Sequence, residues 1–75
     1  ISNSVSEIHK YFKVFPNPSS EIIYIDNKKK ETIFIYNSTG RLEIISKNDN
    51  IDISNLPVGT YFIKMSERKS QFIKQ

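Results

Sequence analysis

The side chains able to do chemistry in this 75-residue chain are few and scattered. A hydrolytic triad needs a serine, a base and an acid that orients the base. The one histidine, His9, lies in a polar stretch near Glu7, where an imidazole reads as exposed and idle. Glycoside hydrolysis needs two carboxyl groups converging across a cleft. Glu21, Asp26, Glu31, Glu43, Asp52 and Glu67 instead flank turns or alternate outward along apolar runs. Asn48-Asp49-Asn50 with Asp52 imitates a calcium loop only faintly, without its glycine or closing glutamate. Cysteine is absent, which excludes thiolate zinc sites, cysteine nucleophiles and disulfides. Gly40 and Gly59 are the only glycines, too few for a phosphate-cradling loop. The expectation is a domain that is no enzyme and has neither metal nor cofactor.

Binding chemistry is also thin. The net charge is +3, and Lys28, Lys29 and Lys30 form the one dense basic cluster. Such a face could meet phosphate, but a lysine run at a loop tip ordinarily keeps a chain soluble and blunts strand edges. Tyr24, Phe34, Tyr36, Phe62 and Phe72 lie in strand-like runs near lysines, as in sheets that stack bases. The glycine-aromatic signature of such sheets is missing, so these aromatics read as core and nucleic acid is not expected as a partner. Asn37-Ser38-Thr39 matches a glycosylation sequon, a three-residue match that falls at a turn; Asn17-Pro18-Ser19 fails it because of its proline.

The elements that must carry these residues are strands. Residues 1–10 (ISNSVSEIHK) are polar and read as linker, leaving residues 11–75 as one domain. The chain opens on Ile1 rather than methionine, so it reads as a piece of a longer protein, and any export signal would lie on the part upstream. No apolar run approaches the ~20 residues of a membrane span. From residue 11 onward seven short runs follow: YFKVF, EIIYID, TIFIYN, RLEIIS, IDIS, GTYFIKMS and SQFIKQ. Turn-rich breaks separate them about every 8–12 residues, as in a sandwich or barrel. Ile23 and Ile25 share one face, as do Ile33 and Ile35, Ile51 and Ile53, and Tyr61, Ile63 and Met65. Alanine is absent and β-branched and aromatic residues dominate. The chain is expected to be all-β.

The breaks have mechanisms of their own. Gly40 closes Asn37-Ser38-Thr39-Gly40 as a hairpin loop. Leu56-Pro57-Val58-Gly59 joins a fixed φ to a free one just before the strongest strand. VFPNPSSE, at 14–21, ends the first run at Pro16, which has no N–H for a ladder. Pro18 then holds Asn17 extended. The stretch reads as a rigid corner.

Three of these motifs, in this order, resemble the type A C-terminal sorting domain of the type IX secretion system, carried by cargo proteins of a group of Gram-negative bacteria. They are Phe15-Pro16-Asn17-Pro18, the hairpin IFIYNSTGRL, and IDISNLPVGTYFIKM followed by a terminal FIKQ. The likeness covers residues 14–75. It implies that Pro16, Asn17 and Pro18 form the family's first corner, and Tyr36 and Gly40 its central hairpin, with Arg41 where lysine is frequent. Leu56, Pro57, Gly59 and Tyr61 would be its L-P-x-G-x-Y segment. Phe72, Ile73, Lys74 and Gln75 would be the terminal signal, with Gln71 departing from a common lysine.

The fold so implied is an immunoglobulin-like antiparallel β-sandwich of about seven short strands. The function implied is that of an address label. An N-terminal cargo domain enters the periplasm by a signal peptide and passes the outer membrane through the type IX translocon. A sortase-like peptidase then cuts within or before residues 1–10, leaving cargo on the cell surface or released. The domain inserts into no membrane. Lys74 and Gln75 are expected to touch the translocon, and an edge position of SQFIKQ would offer it unpaired backbone groups. The alternative is a non-catalytic surface module for adhesion or carbohydrate binding, which an exposed aromatic platform would favour.

Overall fold

A computed structural model of the chain describes residues 12–75. The expected linker, residues 1–10 with His9 and Glu7, lies outside the described residues. Seven strands form: β1 (Val14–Phe15), β2 (Ile22–Ile25), β3 (Ile33–Tyr36), β4 (Leu42–Ser46), β5 (Asn50–Asp52), β6 (Gly59–Met65) and β7 (Arg68–Lys74). They build a three-stranded sheet in the order β1-β2-β5 and a four-stranded sheet in the order β4-β3-β6-β7, every pair antiparallel. The chain changes sheet between β2 and β3, between β4 and β5, and between β5 and β6. This two-sheet arrangement is sandwich-like and consistent with an immunoglobulin-like fold.

The alternation read from the sequence sets the core. Ile23, Ile25, Ile33 and Ile35 turn inward from β2 and β3, and Tyr61, Ile63 and Met65 do so from β6. Ile51 and Ile53 close the same cluster, although Ile53 lies just past the end of β5. Each buried isoleucine contributes on the order of 1.5–3 kcal/mol. A domain of this size buries only about 60% of its unfolded surface, so each such side chain is a large share of the total.

Two strand limits depart from the sequence expectation. Glu67-Arg68-Lys69 reads as a turn, yet only Ser66 and Glu67 turn, and Arg68 and Lys69 begin β7. Ser66 supplies the reversal with φ of 60°, as the first central residue of a type II′ hairpin does. Arg68 tolerates its place because its guanidinium pairs with Glu31 at 2.9 Å and lies over the Phe12 ring. At the other end, β1 is only Val14–Phe15, stopped at Pro16, and Phe12 and Lys13 precede it outside any strand.

The lysine-rich turn is ordered by one buried amide. Asn27 Nδ2 donates to the carbonyls of Glu31 and Lys47 at 2.8 and 3.1 Å, and its Oδ1 accepts from Glu31 N–H at 2.9 Å. The loop is thereby closed on itself and tied to the segment entering β5, while Lys28, Lys29 and Lys30 stay exposed.

Candidate functional site: the terminal strand and the corner beside it

β7 is an edge strand, as the sequence reading required for partner pairing. Its last residues alternate. Phe72 is fully buried and stacks on Tyr61 with ring centroids 5.4 Å apart. Lys74 follows it inward at 7% exposure, its Nζ donating to the main-chain oxygen of Gln75 at 3.0 Å. Ile73 is half exposed and Gln75 is exposed. The four residues expected to be the terminal signal therefore divide by face: Phe72 and Lys74 are packed, while Ile73 and Gln75 are presented.

The backbone edge of β7 is only partly open, which corrects the expectation of an unpaired edge. The outward N–H of Ile73 donates to Asn17 Oδ1 at 2.9 Å, and Asn17 Nδ2 donates to the Gln71 carbonyl at 3.4 Å. Ser19 N–H donates to the Ile73 carbonyl at 3.0 Å, and Gln75 N–H donates to the Ser19 carbonyl at 2.8 Å. Ser19 thus forms a parallel bridge with Lys74. Ser19 is itself buried, and its Oγ donates to the Ile22 carbonyl at 2.9 Å. The Pro-Asn-Pro corner is therefore more than a bend between strands, because it flanks the terminal strand some 56 residues further along the chain.

Leu56, Pro57, Gly59 and Tyr61 assemble at the turn that leads into β6, beside the same end of β7. The Tyr61 hydroxyl donates to the Pro57 carbonyl at 2.6 Å, four residues upstream, as the ring fills the core. This is the tyrosine corner typical of immunoglobulin-like sandwiches. Leu56 packs against the core, and its N–H donates to the Ile53 carbonyl. Gly59 has φ of 155°, a conformation that side chains disfavour. Burial, with the Glu43 carboxylate as a smaller cause, lifts the Tyr61 phenol above its ordinary value of 10.0.

Tyr36 and Gly40 serve the central hairpin. Gly40 has φ of 89°, and its N–H donates to the Asn37 carbonyl. Asn37 organises the loop: Oδ1 accepts from the N–H groups of Thr39 and Arg41 and from the Thr39 hydroxyl. Its Nδ2 donates to Glu43 at 3.0 Å, so the sequon amide has a structural task. Tyr36 is half-buried on the outer face of the larger sheet, opposite Phe62. The expectation that the strand aromatics are core holds for Phe72 and fails for the others: Tyr24, stacked on Phe15, and Phe62 are exposed, and Phe34 and Tyr36 are half-buried, because each alternates with an inward isoleucine or tyrosine.

Among the described residues no cluster of His, Asp or Glu is placed to hold a metal ion. Asp52, from the faint calcium-like run, has its Oδ1 bonded by the Ser54 hydroxyl at 2.6 Å and the Ser54 N–H at 2.9 Å. These two bonds, the hydroxyl first, hold its carboxyl below the ordinary value of 3.8.

The last strand of this small two-sheet domain lies at the edge of its sheet. A family model for the secretion system C-terminal sorting domain matches residues 13–75, and the chain belongs to that family. Its function is that of a C-terminal sorting signal for type IX secretion. No curated protein and no solved structure matched the chain.

Proposed function

We propose that the translocon reads the presented half of the terminal segment, Ile73 and Gln75 with the outer backbone edge of β7. Phe72 and Lys74 hold that segment in shape. Tyr36, Gly40, Leu56, Pro57, Gly59 and Tyr61 act mainly by shaping the sandwich, and Pro16, Asn17 and Pro18 form the corner that flanks β7. The domain does no chemistry. It travels with an N-terminal cargo domain through the periplasm, and a sortase-like peptidase cuts the precursor within or before residues 1–10. The cargo ends on the cell surface or in the medium.

The observation that carries this reading is the division of the last residues, with Phe72 buried and Ile73 half exposed on an edge strand. It also decides how to test it. Truncation at Phe72 would strip a stacked ring from the core, and loss of export would then report unfolding. Point changes on the exposed face avoid this. The chain is placed behind a signal peptide and a fluorescent protein in a host with the type IX machinery. The intact fusion should reach the surface or medium, and Ile73→Asp with Gln75→Ala should stay in the periplasm with an unchanged melting temperature. Equal export of both would remove these residues from the signal.

One observation favours the second reading, a glycan-binding module: Phe62 is 43% exposed beside Tyr36 on the outer sheet face. Saturable sugar binding lost in Phe62→Ser, with export intact, would assign that face to carbohydrate.

A further inference from the structure

Residues 16–19 lie along β7 as a surrogate strand. Asn17 replaces a peptide group, its Oδ1 accepting from Ile73 N–H while its Nδ2 donates to the Gln71 carbonyl. Ser19 continues with genuine peptide groups, bonded to Ile73 and Gln75. Pro16 and Pro18 bring no N–H, so the cover is a poor template for a further strand. The cover also has an end. Outward groups recur every second residue along a strand, so Lys69 and Gln71 face the same way as Ile73. Among the described residues, the main-chain groups of Lys69 and the Gln71 N–H have no partner beyond β7.

We propose that the Pro-Asn-Pro corner is a displaceable cover over the recognition strand. An extended segment of the translocon pairs first with the open stretch at Lys69 and Gln71. It then replaces Asn17 at the Gln71 carbonyl and the Ile73 N–H, while the buried Ser19 stays bonded beyond it. The proposal rests on the reading of β7 as the recognised strand. Both Asn17 bonds are exposed and one is long, at 3.4 Å, so a strand offering regular peptide groups can exchange for them. The cover lets the domain keep an edge available to one partner while denying it to chance pairing with other chains.

The side chains specify the partner's chemistry. Lys64 and Lys69 are directly opposed across β6 and β7 and both are exposed, an unfavourable like-charge pair. Lys69 and Ile73 share one face of β7. The incoming segment therefore carries an acidic residue opposite Lys69 and an apolar one opposite Ile73, on one face and four residues apart.

The test uses the 75-residue chain and detergent-solubilised type IX translocon. In the free domain, Ile73 and Gln75 N–H groups should exchange with solvent more slowly than Gln71 N–H. Asn17→Ala should speed Ile73 exchange and tighten translocon binding by about threefold to tenfold, because less of the population is covered. Gln71→Pro removes an outward N–H that has no partner among the described residues and should weaken binding at least tenfold. Lys69→Glu tests the same stretch without a proline and should also weaken it. Unchanged exchange, or weaker binding, in a folded Asn17→Ala overturns the cover. Normal binding by Gln71→Pro and Lys69→Glu overturns pairing at the open stretch. If none of these variants, nor Ile73→Asp, alters binding, the reading of β7 as the recognised strand fails with it.

Discussion

The chain has two proline-bearing corners, and they do opposite work. The corner before β6 is anchored inward: Pro57 and Val58 are exposed, but Tyr61 is 3% exposed, its ring stacks on Phe72, and its hydroxyl ties back to Pro57. The corner after β1 faces outward: Pro16, Asn17 and Pro18 are all exposed, and Asn17 reaches a strand far along the chain. Both meet β7, one at its inner face and one at its outer edge. In each, proline fixes the backbone and a neighbouring polar group completes the hydrogen bonding. What differs is burial. A corner tied to a buried ring contributes to stability through packing, whereas Asn17 is tied to β7 only by exposed hydrogen bonds.

The comparison is broken most severely at Tyr61. Tyr61→Ala removes a buried ring and should cost about 3–5 kcal/mol, nearly all the stability of a domain this small. Urea unfolding should find it largely unfolded in buffer. A cooperative transition shifted by less than 1 kcal/mol would mean that the inner corner is not a stability element. Tyr61→Phe keeps the ring and deletes the bond to Pro57, and should cost about 1–2 kcal/mol.

Titration probes the same hydroxyl without substitution. The folded state raises the Tyr61 phenol above 10.0, so the fold favours the protonated form. Its contribution is fully present below pH 10 and is lost as pH rises through the folded value. Wild type should lose stability in that alkaline window, and Tyr61→Phe should lose less. Parallel alkaline loss in the two proteins would place the cause elsewhere. Gly59→Ala, in the same corner, meets no atom within 4 Å but inherits φ of 155°, and should cost about 1–2 kcal/mol by thermal melting.

The inner corner was legible in the sequence and the outer one only half so, for a physical reason. Alternating isoleucines announce strands because burial on one face imposes period two, and that logic placed the core from Ile23 to Met65. Leu56-Pro57-Val58-Gly59 was readable as a turn because φ constraints are local. Asn17 and Asn27 carry no such signal. Each acts through an amide that bonds a strand or loop remote in sequence, and an asparagine in a turn looks alike whether or not it does so. The burial of Lys74 carries no sequence signal either: its aliphatic stem packs inward while its ammonium donates to a main-chain oxygen. The start of β7 was hidden because charged residues are tolerated at an edge strand when one of them is paired, as Arg68 is with Glu31.

The smallest stability effect belongs to the outer corner, and it is the one that sharpens the contrast. Asn17→Ala removes two exposed hydrogen bonds and no buried surface, so it should lower stability by no more than about 0.5–1 kcal/mol. Asn17→Asp keeps the acceptor for Ile73 N–H but loses the donor to Gln71, and should fall between the two. If Asn17→Ala instead destabilised the domain as much as Tyr61→Phe, the outer corner would be holding the sandwich together. A partner could then not displace it at the modest cost that exchange requires. A near-neutral Asn17→Ala whose Ile73 amide exchanges faster would show the reverse: a contact that occupies the edge of β7 without supporting the fold behind it.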